Sequence, residues 1–172
     1  MIYIAKTAEV EHPENICNSA RVYENAKVYG DAKVYGDAKV CDSAKIYGDV
    51  SIWGSSQIYG KARVCDEAVV YGHARVYGNA EVCENAEVCE NAKIYGNAEV
   101  YGNAQVYGDA QVYDYAWVCN AAQVFGDAKV CDSASVSRYA KVCGNTIVCE
   151  DAVVKWGKFE GWLVICGDAE VK

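Results

Sequence analysis

From Ile4 to Val154 every sixth residue is Val or Ile, without exception. Four residues after each comes a second small apolar column, Ala8 to Ala152, broken only by Glu14, Val50, Ser56 and Thr146. The unit reads A-x-V-Y-G-D, as in YGDAKVYGDAKV at 29–40. A helix advances about 100° per residue, so valines six apart would scatter over three of its sides. Six is a multiple of the strand period of two, and β-branched and aromatic residues suit strands. The spacing therefore predicts short strands in which Ala and Val face one way while x and Tyr face the other. Gly followed by Asp or Asn turns the chain between them. One such strand buries almost nothing alone. Stacked on its copies, it builds a continuous core and pairs its backbone with the coils above and below.

With these columns the chain resembles the hexapeptide-repeat proteins of the left-handed parallel β-helix family, which place three units in each triangular coil. The resemblance runs from Ile4 to Val154 and implies an all-β fold of about nine coils of 18 residues. The left hand comes from that resemblance, since ordinary parallel crossovers are right-handed. Tyr or Cys follows the aliphatic residue here, where the family more often has a small or acidic one. In that respect the chain more closely resembles the V-x-G-N/D-A repeats of uncharacterised bacterial and phage proteins that carry a transferase label. A single domain, 1–172, is expected: a cap and first coil at 1–15, regular repeats at 16–154 and an irregular coil or cap at 155–172. Pro13 and Glu14 make the first corner irregular. In the tail, Phe159 and Ile165 take core positions after one tightened turn, and Trp156, Phe159, Trp162 and Leu163 close the end with bulk. A terminal strand laid across the opening is the alternative.

Charge narrows the partners. A net charge of −8 and a pI near 4.8 favour solubility and argue against wholesale nucleic-acid binding. No apolar run reaches membrane-spanning length, and MIYIAKTAEV lacks a signal-peptide core, so no membrane and a cytoplasmic location are expected. Nine of the ten Cys alternate with Tyr at one repeat position, which points to substitution rather than a disulfide framework. Cys65 and Cys83, or Cys131 and Cys149, would stack on adjacent coils with Cβ atoms near the strand spacing. That exceeds the ~3.8 Å a disulfide prefers, so free thiols are expected. No C-x-x-C pair or His cluster supports a metal, and no cofactor is expected.

Grouping the units in threes sorts the outward residues onto three faces. The first carries Arg21, Lys39, Arg75, Lys93 and Lys129 in one acid-free column, beside Tyr23, Tyr59, Tyr77, Tyr95 and Tyr113. Cations beside aromatic rings suit an anionic small molecule or a protein partner, so these ten residues are the candidate binding face. The second face is mixed. The third is the least charged, and Tyr35, Trp53, Val69, Tyr71, Tyr107 and Phe125 make it the candidate oligomer interface. The resemblance implies a homo-oligomer, with a trimer favoured. The leading reading is a non-catalytic structural or binding β-helix that self-associates and engages a partner through a flat Tyr-rich face, as a scaffold, inhibitor or ligand-sequestering protein. The alternative, implied by the resemblance, is an acyltransferase using a coenzyme thioester donor with His73 as general base. His73 sits at a corner where Asp or Asn is usual, and the only other histidine is His12. Two histidines cannot make the three-His zinc site of γ-class carbonic anhydrases, and two Thr residues cannot make an ice-binding rank.

Overall fold

A computed structural model describes residues 1–171. The chain is an all-β parallel solenoid of about nine coils, and almost every strand is the two-residue x-V pair that the repeat predicts. The first sheet stacks ten strands from Tyr3–Ile4 to Val164–Ile165, and the second stacks ten from Glu9–Val10 to Glu170–Val171. The third stacks eight, from Lys33–Val34 to Lys158–Phe159, and Ile16 adds a bridge to Val34. Each strand pairs with its equivalent one coil on, so Val22 faces Val40 and Val76 faces Ile94. This register continues to Val136 opposite Val154, and no corner between them extrudes a loop. Among the described residues no helix is long and apolar enough to cross a membrane.

The core is the two apolar columns. The valines and alanines of these columns, from Ala20 to Val154, are essentially inaccessible. Two of the polar interruptions are equally buried and have internal partners: Ser56 Oγ donates to Trp53 O at 3.0 Å, and Thr146 Oγ1 to Cys143 O at 2.8 Å. A buried hydroxyl costs little when bonded, which is why the column tolerates them. Glu14 lies instead in a 3₁₀ turn, Pro13–Asn15, at the expected irregular corner.

Every sixth residue from Asn18 to Glu150 has positive φ. Gly fills just over half of these corners. Asn, Asp, Glu and Arg138 fill the others at φ of 57–61°, a conformation costing an L-residue roughly 1–2 kcal/mol. The acids recover part of that cost. Glu24 Oε2 accepts the Asp42 amide at 2.7 Å, Asp42 Oδ2 the Gly60 amide at 2.7 Å, and Glu90 Oε2 the Gly108 amide at 2.8 Å. The carboxylate of one corner thus satisfies the exposed N–H of the corner one coil above, a charge-assisted bond.

The last coil is one residue short: Val142 faces Phe159, Val148 faces Ile165 and Val154 faces Val171. The tightened turn is therefore present, and the final strand continues the second sheet rather than crossing the opening. Two terminal expectations are corrected. Trp162 is 91% exposed, because Gly161 at φ +91° places it in the outward corner row above Asn145, where the repeat puts polar residues. Phe159 packs against the core instead. Cys149 and Cys166 are joined as a disulfide with Cα atoms 4.8 Å apart, inside the usual disulfide range. Val164–Ile165 is the last strand of its sheet, so among the described residues no further rung stacks on Cys166, leaving it freer to turn its Cβ than an interior rung. Cys65, Cys83 and Cys131 are free.

Candidate functional site

The first face is built as the columns require. Arg21, Lys39, Gln57, Arg75, Lys93, Gln111 and Lys129 lie on successive rungs of one sheet. Beside them Tyr59, Tyr77, Tyr95 and Tyr113 form a continuous stack, with centroids 4.8, 5.0 and 4.9 Å apart and planes within 4°. The rung spacing imposes that distance, which falls inside the favourable range for offset rings. Burial against neighbouring rings pushes the Tyr59, Tyr77 and Tyr95 hydroxyls above their ordinary range. Tyr23 stands apart from the stack. Cys41 follows it one coil on, and the thiol beside its hydroxyl pushes Tyr23 up to about 12.

The same pairing recurs wherever Tyr precedes Cys by one coil. Tyr71 with Cys89 and Tyr113 with Cys131 follow it, and the thiol raises the phenol in each. A ladder hydroxyl also reaches sixteen residues ahead: Tyr71 Oη donates to Glu87 Oε1 at 2.6 Å and Tyr95 Oη to Gln111 Oε1 at 3.3 Å.

A groove of about 590 Å³ runs along the corner between the third and first sheets. Its inner row is Arg75, Lys93, Gln111 and Lys129, and its outer row is His73, Asn91, Asp109, Asp127 and Asn145. His73 and the basic column, separate candidates in the sequence, therefore share one groove. Among the described residues Arg75, Lys93 and Lys129 make no ion pair, and the His73 ring makes no hydrogen bond. Basic residues of the second face are differently placed. Arg63 bonds Tyr47 Oη at 2.6 Å and Glu81 at 3.2 Å, and Lys27 bonds Glu9 at 2.7 Å. Arg21, Tyr23 and Lys39 continue the first face but lie outside the groove.

On the third face, Tyr35, Trp53 and Tyr71 stack at 6.1 and 4.4 Å, and Tyr107 stacks on Phe125 at 4.8 Å. Cys89 separates the two groups. None of these rings, nor Val69, is fully exposed, because each shields the next. The most exposed rings lie elsewhere, at Tyr3, Tyr115, Trp117, Tyr139, Trp156 and Trp162. The sequence grouping also missed two clusters created by stacking. Cys65, Asp66 and Cys83 bring potential metal-ligand atoms within 4.8 Å of one another, as do Glu24, Cys41 and Asp42. The carboxylates of Glu24, Asp42 and Asp66 already accept corner amides.

A comparison with the curated proteins finds no match. Residues 104–120, close to one full coil carrying Tyr107 and Tyr113, match the family model described as the YdcK Beta solenoid repeat, in agreement with the solenoid architecture.

Proposed function

We propose that this protein is a non-catalytic, self-associating β-solenoid that holds an anionic partner along its basic, tyrosine-bearing face. The observation that carries the reading is the groove in which Arg75, Lys93 and Lys129 stand in line, without ion-pair partners among the described residues, on an otherwise acidic chain. The backbone is clamped on both sides of every interior rung, so the groove presents charge at fixed spacing with little ordering cost on binding. The four-ring ladder provides a flat apolar wall beside the cations, suited to the stems or planar groups of the partner. Asp109 and Asp127 on the outer row restrict the anion to the inner row and disfavour a uniformly polyanionic surface such as duplex nucleic acid. Self-association through Tyr35, Trp53, Val69, Tyr71, Tyr107 and Phe125, as a trimer, completes the reading.

Fluorescence anisotropy of a labelled oligo-glutamate peptide, alongside inorganic phosphate as competitor, tests the binding face. Binding that weakens with salt and disappears in Arg75→Glu/Lys93→Glu supports it. Equal binding by native protein and the double variant, or none at low salt, refutes it. The oligomer is tested separately by sedimentation, where a strict monomer at high concentration removes the self-association claim.

A further inference from the structure

One unit departs from the repeat twice. Along the corner between the first and second sheets, successive coils place Asn25, Ser43, Lys61, Asn79, Asn97, Tyr115 and Ser133 at one position. The adjoining outward column runs Lys27, Lys45, Arg63, Glu81, Glu99, Trp117 and Ser135. Each column is polar in every other coil of these series, and both aromatic exceptions fall in the same unit. Ala116 between them is fully buried, so the two flanking side chains point outward together. Tyr115 is 64% exposed and Trp117 is 48% exposed. Unlike the ladder rings, neither takes part in a stacked pair among the described residues. They line an opening of about 430 Å³ with Asn97, Glu99 and Ser133.

Two solvent-facing rings contribute little to the solenoid's own stability, whereas their negative faces attract a cation. Glu99 lies directly beneath Trp117 in the register and, among the described residues, makes no ion pair, while Glu81 one coil earlier is engaged by Arg63. The opening therefore combines two ring faces with one unengaged carboxylate, and a net charge of −8 adds a favourable long-range field. We propose that Tyr115, Trp117 and Glu99 bind an organic cation: an alkylated ammonium group, with its methyls against the rings and its charge facing the carboxylate. This site lies on a different corner from the basic groove and takes a ligand of opposite charge.

The test titrates the intact protein with tetramethylammonium and with choline, following the Trp117 indole N–H by NMR. Choline's neutral carbon isostere, 3,3-dimethylbutan-1-ol, and a neutral hexose serve as comparisons. The expected result is a saturable shift with both cations and affinity about tenfold weaker for the isostere. Trp117→Gln and Tyr115→Asn restore residues that the repeat uses at these positions, so both fold and both lose cation binding, read by titration calorimetry in the variant that lacks the indole. Glu99→Gln weakens the cations and leaves the isostere unchanged. An absent tetramethylammonium shift, equal affinity for cation and isostere, preference for the hexose, or indifference to Glu99→Gln each overturns the proposal.

Discussion

Replacing Tyr77 with Cys, a substitution the repeat itself makes elsewhere, separates the structural role of the tyrosine ladder from its role in binding. Tyr77 is sandwiched between Tyr59 and Tyr95 at 4.8 and 5.0 Å, so its removal breaks two stacked contacts. Each is worth about 0.5–1.5 kcal/mol beyond buried area, so the loss is about 1–3 kcal/mol. For a chain of this size that lowers the melting temperature by roughly 2–4 °C per kcal/mol. Tyr113 stacks only on Tyr95, so Tyr113→Cys costs about half as much. Tyr23 belongs to no stacked pair, so Tyr23→Cys provides the baseline. Thermal unfolding followed by far-UV circular dichroism reads the series, and near-UV dichroism reports loss of ring coupling. The expected order of destabilisation is Tyr77, then Tyr113, then Tyr23. Three equal shifts, or a Tyr77→Cys protein as stable as the native one, would refute the stacking argument and leave the ladder without a stabilising role.

Two other outcomes follow from the corners and the phenols. Gly48 has φ +96°, and a Cβ there would lie 2.6 Å from Asp66 O, so Gly48→Ala costs roughly 3 kcal/mol. At Gly60 a Cβ would lie 2.9 Å from Gly78 N, a milder approach, and φ +72° is nearer the 57–61° of the non-glycine corners, so Gly60→Ala costs less, roughly 1–2 kcal/mol; equal melting temperatures would defeat the distinction. The folded-state phenols of Tyr23 and Tyr101 are pushed up to about 12, the first chiefly by Cys41's thiol and the second by burial. A raised acid binds its proton more tightly when folded, so this contribution is complete below the unfolded value near 10 and is lost as pH rises toward 12. Denaturant titrations across that range should show falling stability, and a flat profile would contradict the shifts.

The solenoid was legible because the core is a column, and columns survive in one dimension as strict periodicity from Ile4 to Val154. Even the short last coil was visible, since Ile165 follows Val154 by one residue less than two units. Contacts that depend on stacking were harder to read. The Glu90 carboxylate and the Gly108 amide meet only because the corner residues adopt positive φ and the coils stack in register. The groove was divided because corner residues and outward columns were sorted separately, although His73 and Arg75 are only two residues apart and share an edge. Trp117 lies on the second, mixed face, and Tyr115's break in the adjoining corner column carries the complementary signal. Bulk at the tail misled: Trp162 occupies a polar corner position, and position in the unit decides direction more strongly than hydrophobicity does.

The disulfide between Cys149 and Cys166 acquires a mechanical meaning from the direction of the backbone hydrogen bonds. Those bonds run along the rod, each coil hanging from the next, as Cys149 N does from Ile165 O at 2.9 Å. A pull on the C-terminus therefore peels the outermost coil, loading a few bonds at a time rather than shearing a whole sheet. The covalent link ties that coil to its neighbour at the end where tearing would begin. In an oxidising setting a pull on the C-terminus is carried across the link to Cys149, so the last coil is spared and peeling starts one coil further in.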